Sequence, residues 1–268
     1  MLRALFGLSA PSLARVPDNC LVFAVGDIHG RADLLEPLIR EIEADLAQSA
    51  ASRCIVVFLG DYVDRGAQSR QVIDRLADYG ETTSAEAQFV RGNHEDCLVA
   101  FMRDPATGPG WCEFGGRETL WSYGVTPPDR RADTSEWAAA SQALREALPA
   151  RHAAFLARLT PSLTVGDYFF THAGARPGVG LADQSDHDLM WIRGDFLNHP
   201  DRFEKIIVHG HTPEPEVTAN HRRFGLDTGA YATGVLTALR LEGSAARLLQ
   251  TEVADGQVRV RKAAVPTG

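Results

Sequence analysis

The sequence predicts an α/β protein built as a two-sheet β-sandwich flanked by helices. Three observations carry that prediction. Short apolar strands alternate with amphipathic helices over the first hundred residues, further short strands follow beyond residue 160, and glycine stands at the end of several of them. A chain of 268 residues, 44% of them hydrophobic, is long enough to bury a substantial core. We therefore expect an N-terminal extension, residues 1–20, followed by a single domain over residues 21–262.

The first half of the domain repeats a strand, a loop and a helix. Strands are predicted at residues 21–25, 55–59 and 87–90, with helices at 33–46 and 69–77. The first helix has the clearest pattern, because its apolar residues fall at helical spacing on one face: Leu34, Leu35, Leu38, Ile39, Ile42 and Leu46. This alternation favours a largely parallel sheet.

Residues 104–160 are predicted to form a cap inserted between the two groups of strands. Glycine, proline and tryptophan are frequent at residues 104–134 and show no period, so we expect an irregular loop there. A helical stretch with a break at Pro149 follows. Two interpretations of the cap aromatics stay open: Trp111, Phe114 and Trp121 either face a substrate or pack the cap itself.

The last hundred residues predict a second sheet. Apolar or alternating runs bounded by turn residues occur repeatedly after the cap. The predicted strands cover residues 163–165, 168–171, 206–208, 224–227, 235–241, 246–250 and 257–261.

Composition disfavours several classes of protein. The net charge is −8 and no basic run stands out, so a nucleic-acid partner is not expected. No apolar run approaches the roughly 18 residues of a membrane span, and no membrane partner is expected. Residues 1–10 do not resemble a secretory signal, and four cysteines without metal-type spacing suggest reduced thiols. These features predict a cytoplasmic protein; oligomeric state is not indicated.

Five predicted strand ends carry side chains typical of metal ligands. Each has a glycine that lets the chain turn sharply beside an Asp, Asn or His. The segments are Gly26-Asp27-Ile28-His29-Gly30, Gly60-Asp61-Tyr62-Val63-Asp64-Arg65-Gly66, Gly92-Asn93-His94-Glu95, Thr171-His172-Ala173-Gly174 and Gly210-His211-Thr212-Pro213. Because sites in open α/β sheets collect at the carboxyl ends of strands, we expect these side chains to converge.

The number of candidate ligands favours two metal ions over one. Six side chains are more than one tetrahedral zinc ion uses: Asp27, His29, Asp61, Asn93, His172 and His211. If both ions share Asp61, they lie about 3.5–4 Å apart, the arrangement used for in-line attack on phosphorus. Oxygen and imidazole ligands accept manganese, iron or zinc. His209 stands outside the set and is expected to have a supporting or structural role.

Taken in order, these motifs resemble the calcineurin-like metallophosphoesterase superfamily, and within it the bacterial phosphoprotein phosphatase branch. The resemblance covers residues 21–241. It implies that Asp27, His29 and Asp61 hold the first metal and that Asp61, Asn93, His172 and His211 hold the second. It further implies that His94, positioned by Asp64, is the general acid and that Arg65 grips the phosphate. The arginine of Leu189-Met190-Trp191-Ile192-Arg193 is expected to be a second phosphate contact.

Comparison with the different branches of the superfamily restricts the type of activity that we expect of this protein. Many phosphodiesterases of the superfamily end in Gly-His-x-His, but here Pro213 occupies the last position and cannot bind metal. Asp64 beside Arg65, together with Glu95, resembles the protein-phosphatase type. We therefore expect a serine/threonine protein phosphatase that uses two ions, manganese in the first instance, and a metal-bridging hydroxide that attacks phosphorus directly. The substrate would be a phosphoprotein or a small phosphoester.

Two other functions stay open. A hydrolase of nucleotides or dinucleoside polyphosphates could use the same pair of metals. A metal-stabilised regulatory scaffold without turnover would share the ligand pattern but not the activity.

Overall fold

Two mixed sheets pack face to face and position the site at one end. A computed structural model describes residues 14–266, so most of the predicted extension, including the segment judged unlike a secretory signal, lies outside the described residues. The strands are β1 Cys20–Val25, β2 Arg53–Phe58, β3 Glu86–Phe89, β4 Ser162–Val165, β5 Tyr168–Thr171, β6 Ile206–His209, β7 Thr218–Ala219, β8 Arg223–Gly225, β9 Thr237–Glu242, β10 Ala245–Ala254 and β11 Gln257–Ala264.

The first sheet has six strands in the order β11-β10-β9-β1-β2-β3. Strands β1, β2 and β3 run parallel, whereas β9, β10 and β11 add antiparallel neighbours on the other side. The second sheet has the order β4-β5-β6-β8-β7, with β5, β6 and β8 parallel. The predicted two-sheet α/β architecture is therefore confirmed.

Strand β1 lies at the centre of the molecule, which explains its continuous apolar sequence. Leu21, Phe23 and Val25 pack in the core beneath the helices, whereas Val22 and Ala24 pack in the core between the two sheets. Because alternate side chains of a strand point to opposite faces, a strand covered on both faces has no polar positions. The sequence accordingly shows an unbroken run and no alternation.

Helices flank both sheets: most of them pack on the first sheet, and two short ones pack on the second. Their bounds are α1 Ala32–Gln48, α2 Ser69–Thr82, α3 Asn93–Arg103, α4 Gly108–Trp111, α5 Arg117–Ser122, α6 Thr134–Ala147, α7 Ala150–Ala157, α8 Asp186–Trp191, α9 Gly194–Leu197 and α10 Ala230–Thr233. The predicted apolar face of α1 is buried in full. The predicted break at Pro149 is also confirmed, because that residue separates α6 from α7.

The cap differs from its prediction as an irregular loop. Residues 105–122 form a chain of short helical turns through α4 and α5, and Trp111 and Leu120 are buried in the helix-side core. None of these turns exceeds six residues, so none is long enough to show a helical period in the sequence. Trp111 therefore packs inward, whereas Phe114 and Trp121 are exposed.

Two predictions from composition concern membrane-spanning helices and the state of the cysteines. No helix within residues 14–266 combines the length and apolar character needed to cross a bilayer. All four cysteines are free thiols, and burial raises the pKa of Cys97 and of Cys112 to about 12.

Packing around α4 generates a test of the cap. A methyl group at Gly108 would lie 2.5 Å from Trp137 and 2.6 Å from Phe101, although the backbone there is ordinary right-handed helix. We expect Gly108→Ala to lower the free energy of unfolding by about 1–3 kcal/mol through overpacking. Gly110→Ala in the same helix meets nothing within 4 Å and should be neutral or slightly stabilising. Urea unfolding of both variants measures the difference, and equal stabilities would contradict this packing.

Candidate metal centre

The carboxyl ends of strands from both sheets converge on one buried cluster. Asp27 and His29 follow β1, Asp61 follows β2, and Asn93 begins α3 just after β3. The second sheet contributes His172 after β5 and His211 after β6. All six predicted ligand side chains are buried, each with at most 6% of its surface exposed. The structure thus brings together the six residues that the sequence singled out.

Backbone strain is concentrated at this cluster. Seven non-glycine residues in the described chain have a positive φ, and five of them lie here: His29, Asp61, Asp64, Arg65 and His211. Each such residue costs of order 1 kcal/mol or more and persists only where its surroundings enforce it. The strained turns aim the side chains inward. Strain of this kind is typical of functional sites.

Asp61 lies between two groups of imidazoles. Its Oδ2 atom is 3.5 Å from His29 Nε2, and its Oδ1 atom is 3.3 Å from His172 Nε2. Candidate ligand atoms lie within 4.8 Å of one another in two sets, His29 with Asp61 and His94, and Asp61 with His172 and His211. Because Asp61 belongs to both sets with a different oxygen facing each, it has the placement of a bridging ligand.

Asn93 and Asp27 complete the cluster. The Oδ1 atom of Asn93 lies 2.9 Å from both His172 Nε2 and His211 Nδ1. Asp27 accepts the backbone N–H of His211 at 2.9 Å through Oδ2. A methyl group at Gly210 would lie 1.8 Å from Asp27 Oδ1, so that position requires glycine. Gly210 therefore allows a close approach between the two sheets.

Unpartnered polar atoms show that these residues fit bound cations. Asp27 Oδ1 and His29 Nε2 are buried without a hydrogen-bond partner among the described residues, an arrangement that is costly unless something else satisfies them. Burial and the charges of Asp227 and Asp61 raise the pKa of Asp27 well above its usual range. Carboxylates crowded beside imidazoles are the donor set of a divalent or trivalent metal site.

Hydrogen bonds behind the cluster fix the imidazole rings. His29 Nδ1 donates to the carbonyl oxygen of Val63, and His172 Nδ1 donates to that of Leu59, each at 2.9 Å. Both bonds leave Nε2 free to face the cluster, which is how proteins orient metal-binding histidines. Burial lowers the pKa of His29 to about 3 and that of His211 to about 2, so both are neutral imidazoles as ligation requires.

His94 has different partners from the ligand imidazoles. Its Nδ1 atom lies 2.7 Å from Asp64 Oδ2, while its Nε2 atom faces the cluster, 3.8 Å from Asp61 Oδ2. Burial alone would lower the pKa of His94, but the carboxylates of Asp61 and Asp64 outweigh burial and raise it to about 9. A cation bound to Asp61 would neutralise that charge and leave Asp64 as the partner that stabilises an imidazolium.

The two predicted phosphate contacts lie on different sides of the cluster. Arg65 is half-buried, with Nη2 3.3 Å from His94 Nε2 and its guanidinium 4.7 Å from the ring of Tyr231. Arg193 is exposed and donates to Thr212 Oγ1, next to His211. The structure places both guanidiniums beside the candidate ligands.

Two carboxylates support the site in ways that the sequence analysis missed. Glu95 accepts backbone N–H groups of Asp61, Tyr62 and Val63 from the β2 loop, and of Gly92, and so clamps that loop. Asp227 is buried, its Oδ2 atom has no hydrogen-bond partner within residues 14–266, and its charge acts on Asp27. Asp227 comes two residues after β8, so the strand-end position that the six candidate ligands share could have pointed to it.

His209 is placed away from the ligand cluster. Its Nε2 atom lies 2.9 Å from Arg223 Nη1, and its ring packs edge-on against Phe196 at 5.0 Å. Burial lowers the pKa of His209 to about 3. A supporting, structural position is what the sequence led us to expect.

Comparison with known proteins agrees with this geometry. A model of the calcineurin-like phosphoesterase family matches residues 21–236. The asymmetrical bis(5'-nucleosyl)-tetraphosphatase PrpE of Anoxybacillus flavithermus is 29% identical over 237 residues, 81% of this chain and 88% of that protein. Serine/threonine-protein phosphatase 1 of Salmonella typhimurium is 27% identical over 223 residues, 82% of this chain and 92% of that protein.

The fold likeness extends to solved structures. The cold-active protein-tyrosine phosphatase of a psychrophilic Shewanella species shares the fold with a TM-score of 0.52 at 15% identity, over 92% of this chain and 83% of that one. The family model matches the chain from within β1 to the residue before β9, and this region includes all six candidate ligands. On these grounds the chain belongs to the calcineurin-like phosphoesterase family.

Proposed function

We propose that the protein is a metal-dependent phosphomonoesterase whose substrate is phosphoserine or phosphothreonine in a protein. The observation that carries the proposal is the buried pair of His94 and Asp64, which lies directly beside the candidate ligands. Such a pair can deliver a proton to a departing oxygen. A proton is needed most when the leaving group is a basic alkoxide, as it is for the esters of serine and threonine.

Two ions, with manganese as our first choice and iron or zinc as alternatives, would be held by Asp27, His29, Asp61, Asn93, His172 and His211. When bound, they would supply Lewis acidity to the phosphoryl oxygens and lower the pKa of a coordinated water. Imidazole and oxygen donors are compatible with all three metals.

The remaining roles belong to residues of the chain itself. Arg65 and Arg193 would bind phosphoryl oxygens, a task suited to planar guanidinium groups. His94 would donate the proton on Nε2 to the ester oxygen as the phosphorus–oxygen bond breaks, while Asp64 holds Nδ1.

We also propose a cytoplasmic location, which the four free thiols support because disulfides form mainly in oxidising compartments.

A second candidate substrate is a dinucleoside polyphosphate. Two exposed aromatic rings border the site: Tyr231, 38% exposed, lies 5.5 Å from the ring of His29, and Trp191, 36% exposed, lies 6.4 Å from that of His211. Exposed rings beside a phosphate site could stack on nucleobases. The name of the Anoxybacillus relative supports the same candidate.

Metal removal tests the metal-dependent reaction. We expect a chelator to abolish hydrolysis of p-nitrophenyl phosphate and Mn²⁺ to restore it, because the candidate ligands hold the ions on which the chemistry depends. Asp61→Asn should lose bound metal, and added Mn²⁺ should not restore its activity. Metal analysis and initial rates measure both effects. Full activity in a chelated preparation would contradict the proposal.

Substitution of His94 tests proton donation. We expect His94→Asn to lower kcat/KM for phenyl phosphate by roughly 10²–10⁴-fold and to lower it much less for p-nitrophenyl phosphate, whose leaving anion needs no proton. His221→Asn at an exposed position serves as the control. Equal losses of kcat/KM on the two substrates would remove His94 from this role.

A substrate panel separates the two candidate substrates. We expect kcat/KM for phosphoserine and phosphothreonine peptides to exceed that for diadenosine tetraphosphate by more than about a hundredfold, which corresponds to about 2.7 kcal/mol. The opposite preference would assign the site to dinucleotides. In that case Trp191→Ala and Tyr231→Ala should raise KM for the dinucleotide more than for p-nitrophenyl phosphate.

A further inference from the structure

Asp64 is completely buried, and three side-chain donors surround its carboxylate. Oδ2 accepts the Nδ1–H of His94 and the indole Nε1–H of Trp111, both at 2.7 Å. Oδ1 accepts the hydroxyl of Thr119 at 2.6 Å. Only one of these three donors belongs to the strand-end motifs.

The other two donors come from the cap. Trp111 ends α4 and Thr119 lies in α5, which are 47 and 55 residues beyond Asp64. Both side chains are buried, with 3% and 0% of their surface exposed. The cap also accepts the backbone N–H of Arg65 at Gly115, and Thr119 Oγ1 accepts that of Asp64. The cap therefore contacts two of the strained residues of this loop, Asp64 and Arg65.

These contacts have a direct consequence for His94. A carboxylate with two oxygens can turn about its side chain, but donors on both oxygens fix its plane. Once that plane is fixed, the imidazole that donates to Oδ2 through Nδ1 is fixed too, and its Nε2 faces the cluster. Hydrogen bonds buried in this way hold their geometry firmly, because water is excluded and does not compete for the donors and acceptors.

We propose that Trp111 and Thr119 are positioning residues for proton transfer: the cap holds Asp64 so that His94 presents Nε2–H to the departing oxygen. This inference rests on the proposed role of His94. It gives the cap a part in the chemical step itself, separate from any contact of Phe114 or Trp121 with a substrate.

The alternative is that Trp111 packs the cap and has no influence on proton transfer. The dependence of kcat/KM on the leaving group distinguishes the positioning role from this packing role. A purely structural loss slows every substrate alike. A misplaced proton donor slows phenyl phosphate, whose leaving oxygen needs a proton, more than p-nitrophenyl phosphate. The chain also offers a matched control, because Trp137 is buried in the same core and contacts the same Phe101 ring, and its indole N–H has no partner in the part of the chain that the structure describes.

The experiment compares kcat/KM on the two aryl phosphates for Trp111→Phe, Thr119→Val and the controls Trp137→Phe and Thr119→Ser. We expect Trp111→Phe and Thr119→Val to lose at least about tenfold more on phenyl phosphate, a difference of about 1.4 kcal/mol in transition-state stabilisation. Trp137→Phe should affect both substrates equally, and Thr119→Ser, which keeps the hydroxyl, should stay close to wild type. Thermal melting and metal content are recorded for every variant.

The outcomes separate this inference from the function on which it rests. Equal losses on both substrates for folded, metal-loaded Trp111→Phe and Thr119→Val would overturn the inference, provided that His94→Asn shows the selective loss. If His94→Asn lowers kcat/KM equally on the two substrates, His94 is not the proton donor. The positioning role of Trp111 and Thr119 is then contradicted as well, because it depends on that donor. Should Trp111→Phe fail to fold, Thr119→Val against Thr119→Ser decides the question.

Discussion

The site depends on a single electrostatic constraint, which is the burial of Asp61 among imidazoles. Burial alone would raise the pKa of this carboxyl, yet His172, His94 and His29 around it hold its pKa well below the usual range. Asp61 cannot move to relieve the crowding, because Glu95 clamps its loop through backbone N–H groups. A buried charge held in this way is stable only if its partners stay in place. Much of the surrounding structure serves to keep them there.

The site is assembled by the packing of the two sheets against each other, because each sheet contributes some of the candidate ligands. The first sheet supplies Asp27, His29, Asp61 and Asn93, whereas the second supplies His172 and His211. Hydrogen bonds cross between them, since His172 Nδ1 donates to Leu59 and the backbone N–H of His211 donates to Asp27. The apolar core between the sheets therefore sets the distances on which the cluster depends, and a change in sheet packing would be felt at the ligands.

The cap connects the helix-side core to the proton-donor pair. Trp111 packs on Phe101 within that core while its indole N–H reaches Asp64. The ring of Trp111 contributes to the packing of the core, while its indole nitrogen helps to position Asp64. The same residue therefore affects both the stability of the cap and the geometry of the site. Glu95 has a comparable double position on α3, one residue after His94. In both cases a group that never touches substrate would decide where a reacting group lies.

Apart from α3, which was not predicted, short-range patterns in the sequence predicted the longer helices, most of the strands and the six candidate ligands. Those features are local: an apolar run makes β1, a periodic face makes α1, and a glycine beside an Asp or His marks a strand end. Only the folded chain shows that short helical turns form the cap and that Trp111 and Thr119 reach Asp64. The reason is physical, because periodicity and turn chemistry act between neighbours in the chain, whereas a buried hydrogen bond joins groups that only the completed packing brings within 3 Å.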